Sequence, residues 1–135
     1  MTTRATRRRA TSQQTRARLL AAAKTLFLAK GYEATSVRSV ADAADLTIGA
    51  FYGHFTSKRA VLFEVVLAMN TPAKAGRRPF APASERALVL TVASFADTDP
   101  RALETLDVVL RAIAPTRRGG VSTAAAGALL TDLLV

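Results

Sequence analysis

Thr35, Ser36, Arg38, Thr47, Tyr52 and Lys58 bring hydroxyls and cations into one short stretch, with His54 among them. The chemistry open to such a set is anion binding. Hydroxyl groups donate to oxyanions or accept from helix amides, and Arg and Lys neutralise phosphate. Catalysis is not suggested. His54 is the only histidine and cysteine is absent, so the sequence offers no thiol nucleophile, no histidine cluster and no cysteine-held zinc. No second base or carboxylate pair stands beside His54, and no phosphate loop is present. His54 is read as a packing or phosphate-contacting side chain. The chain is read as a non-enzyme with no cofactor and no metal.

The charge supports the same chemistry. The formal net charge of the 135 residues is +9, and half of them are apolar. Residues 1–70 hold eleven Lys or Arg against four Asp or Glu, whereas residues 71–135 hold eight against six. A basic excess in one half points to a polyanionic partner for that half, either nucleic acid or an anionic membrane surface. Arg4, Arg7, Arg8 and Arg9 crowd the first eleven residues, where they are candidates for arm contacts to DNA. No apolar run is long enough to span a bilayer, and Lys24 interrupts the one that follows the basic start. A cytoplasmic location is expected.

The elements that must position these residues read as helices throughout. Residues 1–11 are polar and Arg-rich, and are expected to be a disordered arm. A first helix is expected from Ser12 to Lys30, capped by Ser12 or Thr11. Leu19, Ala22, Ala23, Leu26 and Phe27 form its apolar stripe, and Gly31 stops it. A second helix is expected from Val37 to Ala44, with Thr35 and Ser36 offering oxygens to its free amides. A third runs from Ile48 to His54 behind a Thr47 cap, and a fourth opens after Ser57. Residues 71–83 are rich in Pro and Gly and read as a linker. Beyond them, helix is expected over Ser84–Ala96, from the Asp99-Pro100 start signal to about Ala114, and over Val121–Val135.

Two short helices joined by a tight turn, with Val40, Ala41, Ala44, Leu46, Phe51 and Phe55 as shared core, make a helix-turn-helix. Thr47, Ile48, Gly49, Ala50 and Tyr52 are left at the start and outer face of the second helix, the part that enters a major groove. The reading is a domain organisation of basic arm (1–11), DNA-binding domain (12–70), linker (71–83) and helical C-terminal region (84–135).

The run Leu19–Phe27, then Gly31-Tyr32 and Ala34-Thr35-Ser36-Val37-Arg38, resembles the opening of TetR-family regulators. Val40-Ala41 and Leu46–Phe55 are similar to the family's helix-turn-helix, and Ser57-Lys58 with Leu62-Phe63 to the start of its fourth helix. The resemblance spans residues 12–69. It implies an all-α fold: a three-helix, homeodomain-like DNA-binding domain, a linking helix and a shortened C-terminal helical domain. It further implies a transcriptional repressor that binds a palindromic operator in double-stranded DNA as a homodimer. Backbone contacts from Tyr52 and Lys58 are part of that implication. Two positions depart from the pattern: Asp45 stands where the family usually has glycine, and Ile48 where polar or basic residues are common. A small-molecule effector belongs to the family picture, but residues 84–135 offer little to line a closed pocket. Two alternatives are a basic amphipathic protein on an anionic membrane, and a truncated regulator that no longer pairs. The membrane reading accounts for the charge but not for the Thr35–Lys58 arrangement, and a measurement of oligomeric state separates the truncated regulator.

Overall fold

Arginine and alanine favour helix, and residues 4–30 contain neither glycine nor proline. In the computed structural model, which describes residues 4–69 and 83–113, they form one long helix, α1 (Arg4–Lys30). This corrects the expectation of a disordered arm with a helix start at Ser12. Residues 1–3 lie outside the described residues, but Arg4 onward is helical. Thr11 and Ser12 sit inside the helix rather than capping it, and the Thr15 hydroxyl donates to the Thr11 carbonyl at 2.9 Å. The physical reason is that periodicity marks only the part of a helix with a face to bury. Once that part is packed, extension costs no new nucleus. Gly31 ends α1 at φ +88°, with its amide donating to the Phe27 carbonyl at 2.9 Å.

The next two helices are α2 (Val37–Ala43) and α3 (Ile48–His54). Their connection is a hydrogen-bonded Schellman turn. The Leu46 amide donates to the Ala41 carbonyl at 2.9 Å and the Asp45 amide to the Asp42 carbonyl at 3.0 Å. Asp45 takes the left-handed residue of that turn, at φ 58°. Helix α1 packs on both α2 and α3, which pack on each other. Leu19, Ala23, Phe27, Val40, Ala41 and Phe51 are almost fully buried in this three-helix arrangement. Ala41 has no exposed surface, as expected of a small residue at a close helix contact.

Helix α4 (Lys58–Met69) starts on Ser57, whose hydroxyl accepts from the Ala60 amide at 3.1 Å. Helices α5 (Ala83–Ser94) and α6 (Pro100–Ile113) complete the described residues, which contain no strand. The chain divides into two compact units, Met1–Val61 and Leu62–Val135. In the second, α5 and α6 pack together through Leu88, Val89, Val92, Ala102, Leu106 and Val109. Asp99 caps α6 by accepting from the Arg101 amide at 3.0 Å, as its Asp-Pro signal predicts. Helix α5 starts at Ala83, so Ser84 lies in its first turn instead of capping it, and Ala83 belongs to helix rather than linker. The rest of the expected linker and the last expected helix lie outside the described residues.

Candidate nucleic-acid interface

Helix α3 presents its outer side to solvent because its inner side is fixed by one aromatic. Phe51 is 1 % exposed and lies 5.6 Å from the Phe55 ring, while Tyr52, one residue on, is 55 % exposed. The Tyr52 ring stands edge-on to Phe51, with centroids 5.3 Å apart. Gly49 and Gly53 are exposed beside it, and Ile48 and Ala50 are half-buried. Thr47 caps the helix as expected, its hydroxyl accepting from the Ala50 amide at 3.0 Å.

The two glycines are not required by the fold. Neither has positive φ. A methyl group at Gly53 would meet nothing within 4 Å, and one at Gly49 would meet only the Thr47 hydroxyl, at 3.7 Å. Glycine inside a helix costs about 1 kcal/mol relative to alanine. This seven-residue helix carries two such residues on its exposed side, where its backbone is left open.

At the start of α2 the two hydroxyls separate. Ser36 and Ser39 form a reciprocal capping pair: Ser36 Oγ accepts from the Ser39 amide at 3.1 Å, and Ser39 Oγ accepts from the Ser36 amide at 3.0 Å. Thr35 does not share that work. It is 2 % exposed and its hydroxyl donates to the Gly31 carbonyl at 2.8 Å, which ties the α1 terminus to the α2 entry. The expectation that both residues face the free amides is corrected for Thr35. Its hydroxyl is already used, and the side chain is turned inward.

The cations sort in the same way. Lys58 Nζ donates to the Tyr32 carbonyl at 3.0 Å and lies 4.1 Å from the Tyr32 ring centre. Burial holds the Tyr32 hydroxyl above its ordinary pKa, with the nearby Arg59 cation pulling the other way. The Arg18 guanidinium donates to the Ala44 carbonyl at 2.6 Å, placing a positive charge on the C-terminus of α2. Arg16 lies over the Phe55 ring at 4.9 Å. Sequence reasoning missed Arg16 and Arg18 and read Lys58 as facing outward. By contrast Arg4, Arg7, Arg8, Arg9 and Arg38 are exposed and have no partner among the described residues. His54 is half-buried at the end of α3, with its ring 6.5 Å from Phe55. Among the described residues no group of His, Asp or Glu could hold a metal ion, and no helix is long and apolar enough to cross a membrane.

A capped helix, a tight left-handed turn and a second helix with an open outer face define a helix-turn-helix DNA-binding domain. Residues 19–65 match the family model for bacterial regulatory proteins of the tetR family. Over these residues the chain is thus similar to the N-terminal domain of that family. It is 45% identical over 51 residues to the HTH-type transcriptional repressor KstR2 of Rhodococcus jostii, a stretch that is 38% of this chain and 25% of that protein. It is 38% identical over 58 residues to the HTH-type transcriptional regulator TcmR of Streptomyces glaucescens, covering 43% of this chain and 26% of the relative. The matched part spans about a quarter of the length of these curated relatives. In fold, the chain is similar to Salmonella enterica GusR, with a TM-score of 0.53 and 21% identity over 88% of this chain and 79% of that one.

Proposed function

We propose that the protein is a sequence-specific DNA-binding transcriptional regulator, a repressor acting as a homodimer on a palindromic operator. The observation that carries this reading is the outer side of α3. Gly49 and Gly53 leave room that the fold does not need, and the Tyr52 side chain beside them is exposed. In this reading α3 lies in the major groove with Ile48 and Ala50 toward base edges, where an aliphatic side chain packs on a thymine methyl. Tyr52, His54, Arg38 and the Ser36 and Thr47 helix starts face the sugar-phosphate backbone, which positions without specifying. Repression is supported by the KstR2 relatives, which are named repressors. Pairing of two copies is assigned to residues 84–135. Leu90 and Val108 are exposed there, and the last residues are rich in leucine.

The test is selection from a random-sequence duplex library, followed by a comparison of the parent with Gly53→Ala. The parent is expected to enrich a palindrome. The alanine variant is expected to raise the unfolding free energy by about 0.5–1 kcal/mol and yet to bind the selected duplex more weakly. A variant that is more stable and binds equally well would show that α3 does not approach DNA with this side.

A further inference from the structure

The N-terminal turns of α1 and the end of α3 border one open depression of the surface. Arg4, Arg7, Arg8, Thr11, Ser12 and Thr15 line one wall of an open cleft of about 420 Å³, and His54 of α3 supplies the other. The register of α1 explains why this wall is notable. Arg4, Arg8, Thr11, Thr15, Leu19 and Ala22 follow one another at steps of four or three residues, so they share one side of the helix. Downstream, that side delivers Leu19 into the core with no exposed surface. Upstream, the same side continues past the core as hydroxyls and then as guanidiniums. A face prepared for protein packing would have stayed apolar. This one changes to groups that satisfy oxyanions, and its arginines have no partner among the described residues.

We infer that the cleft between the start of α1 and His54 is a second DNA-backbone site, which takes a phosphodiester of the duplex engaged by α3. Arg4, Arg7 and Arg8 supply the charge, Thr11 and Ser12 supply hydroxyl donors, and the His54 ring supplies an N–H from the α3 side. The cleft adds affinity without sequence preference, because phosphate contacts position and do not specify. Helical register sets it apart from a flexible basic tail: the arginines stand at helical spacing opposite a residue of α3, so only one side of α1 contributes. This inference rests on the assignment of α3 to the major groove.

The register gives an internally controlled experiment. Arg8 lines the cleft, whereas Arg9, its neighbour, lies about 100° further round the helix and does not. Arg8→Gln and Arg9→Gln remove the same charge from adjacent positions, and circular dichroism checks that α1 stays helical in both. Affinity of the full chain for the library-selected duplex is measured as a function of salt. Arg8→Gln is expected to reduce the slope of log affinity against log salt by less than about 0.9, the value of one whole phosphate contact, because Arg4 and Arg7 still face that phosphate, and to leave the order of preference among duplexes unchanged. Arg9→Gln is expected to keep the parent slope. Combining Arg8→Gln with His54→Asn is expected to lose less than the two single losses multiplied, because both act on one phosphate. Equal losses from Arg8→Gln and Arg9→Gln would overturn the cleft in favour of unplaced charge. No loss from either would overturn it outright. A loss confined to vesicles of phosphatidylserine and phosphatidylcholine, with duplex binding intact, would assign the arginines to a membrane and overturn it as well. If the parent selects no duplex at all, it is the regulator reading that fails.

Discussion

The two units of the chain differ in the carboxylates at their helix starts. In the second, Glu85 sits in the first turn of α5, Asp99 caps α6, and Arg111 near the C-terminal end of α6 pairs with Asp107 at 3.0 Å. Acid at the start and base at the end is the arrangement that complements the helix dipole. In the first unit no helix has an acidic residue in its first turn. Helix α1 opens on Arg4, α2 carries Arg38 in its first turn, and α4 opens on Lys58 and Arg59. Cations there oppose the dipole at roughly 0.3–1 kcal/mol apiece when solvent-exposed. Cations lie in first turns of both units, Arg86 and Arg101 included. What distinguishes the second unit is the carboxylates it adds at its helix starts, and in the first unit Arg38 has no partner among the described residues. The comparison can be tested at three positions, and the expected effects decrease from one to the next.

Lys58 is the exception that most sharpens the contrast, because its charge is spent inside. A hydrogen bond from a charged group contributes about 1.5–3 kcal/mol and an exposed cation–π contact about 0.5–1 kcal/mol. The side chain is only half-buried, so solvent screening reduces the sum. Lys58→Met keeps the stem and removes the ammonium. It is expected to lower the unfolding free energy by about 1–2 kcal/mol in urea titration, with the salt slope of duplex binding unchanged. If the midpoint stays in place while the slope drops by about 0.9, Lys58 belongs with the outward cations and the exception disappears.

That exception also marks how far the sequence could be read. The α2–turn–α3 unit was legible because each of its signals is local. Ser36 and Thr47 cap helices that begin one residue later, and Asp45 tolerates the left-handed turn its position demands. The Asp99-Pro100 start of α6 was legible for the same reason. The start of α1 was not, because residues 4–11 have exposed side chains wherever these are described, and an exposed helix leaves no apolar period to detect. Nor were the contacts of Lys58 to Tyr32 and of Arg18 to Ala44, each made across 26 residues of chain to a backbone carbonyl. A carbonyl is present at every residue, so residue types cannot announce which one a cation will find. For the candidate site, the outer side of α3 followed from periodicity. The inward turn of the Thr35 hydroxyl, and the division of cations into used and available, required the packed structure.

In the second unit the same logic predicts a stability effect with no binding effect. Asp99→Ala removes the acceptor of the Arg101 amide at the start of α6. The expected cost is about 1 kcal/mol of unfolding free energy, with duplex affinity per folded molecule and its salt slope both unchanged. A changed slope would mean that the acidic starts of the second unit take part in the electrostatics of DNA binding. The two units would then not be separable in function.

Arg38 gives the smallest stability effect and the most direct test of the contrast. It is exposed in the first turn of α2, has no partner among the described residues, and stands beside the Ser36–Ser39 capping pair that already satisfies the helix start. None of the described residues gains from a cation at this point. Arg38→Glu replaces it with the charge that the dipole prefers, in the arrangement the second unit uses at Glu85. The unfolding free energy is therefore expected to rise by about 0.5 kcal/mol at low salt, and the gain should fade as salt is added. Duplex binding is expected to move the other way. The variant loses a phosphate contact and adds repulsion, so its salt slope should drop by at least about 0.9, with the ranking of duplexes retained. Gain in one measurement with loss in the other is what a residue placed for an external anion must show. If Arg38→Glu is less stable than the parent, the arginine serves the fold through a contact of its own. If it is more stable and binds as before, the cation at the start of α2 is not facing the DNA backbone, and the orientation proposed for the helix-turn-helix would have to be rotated away from α2.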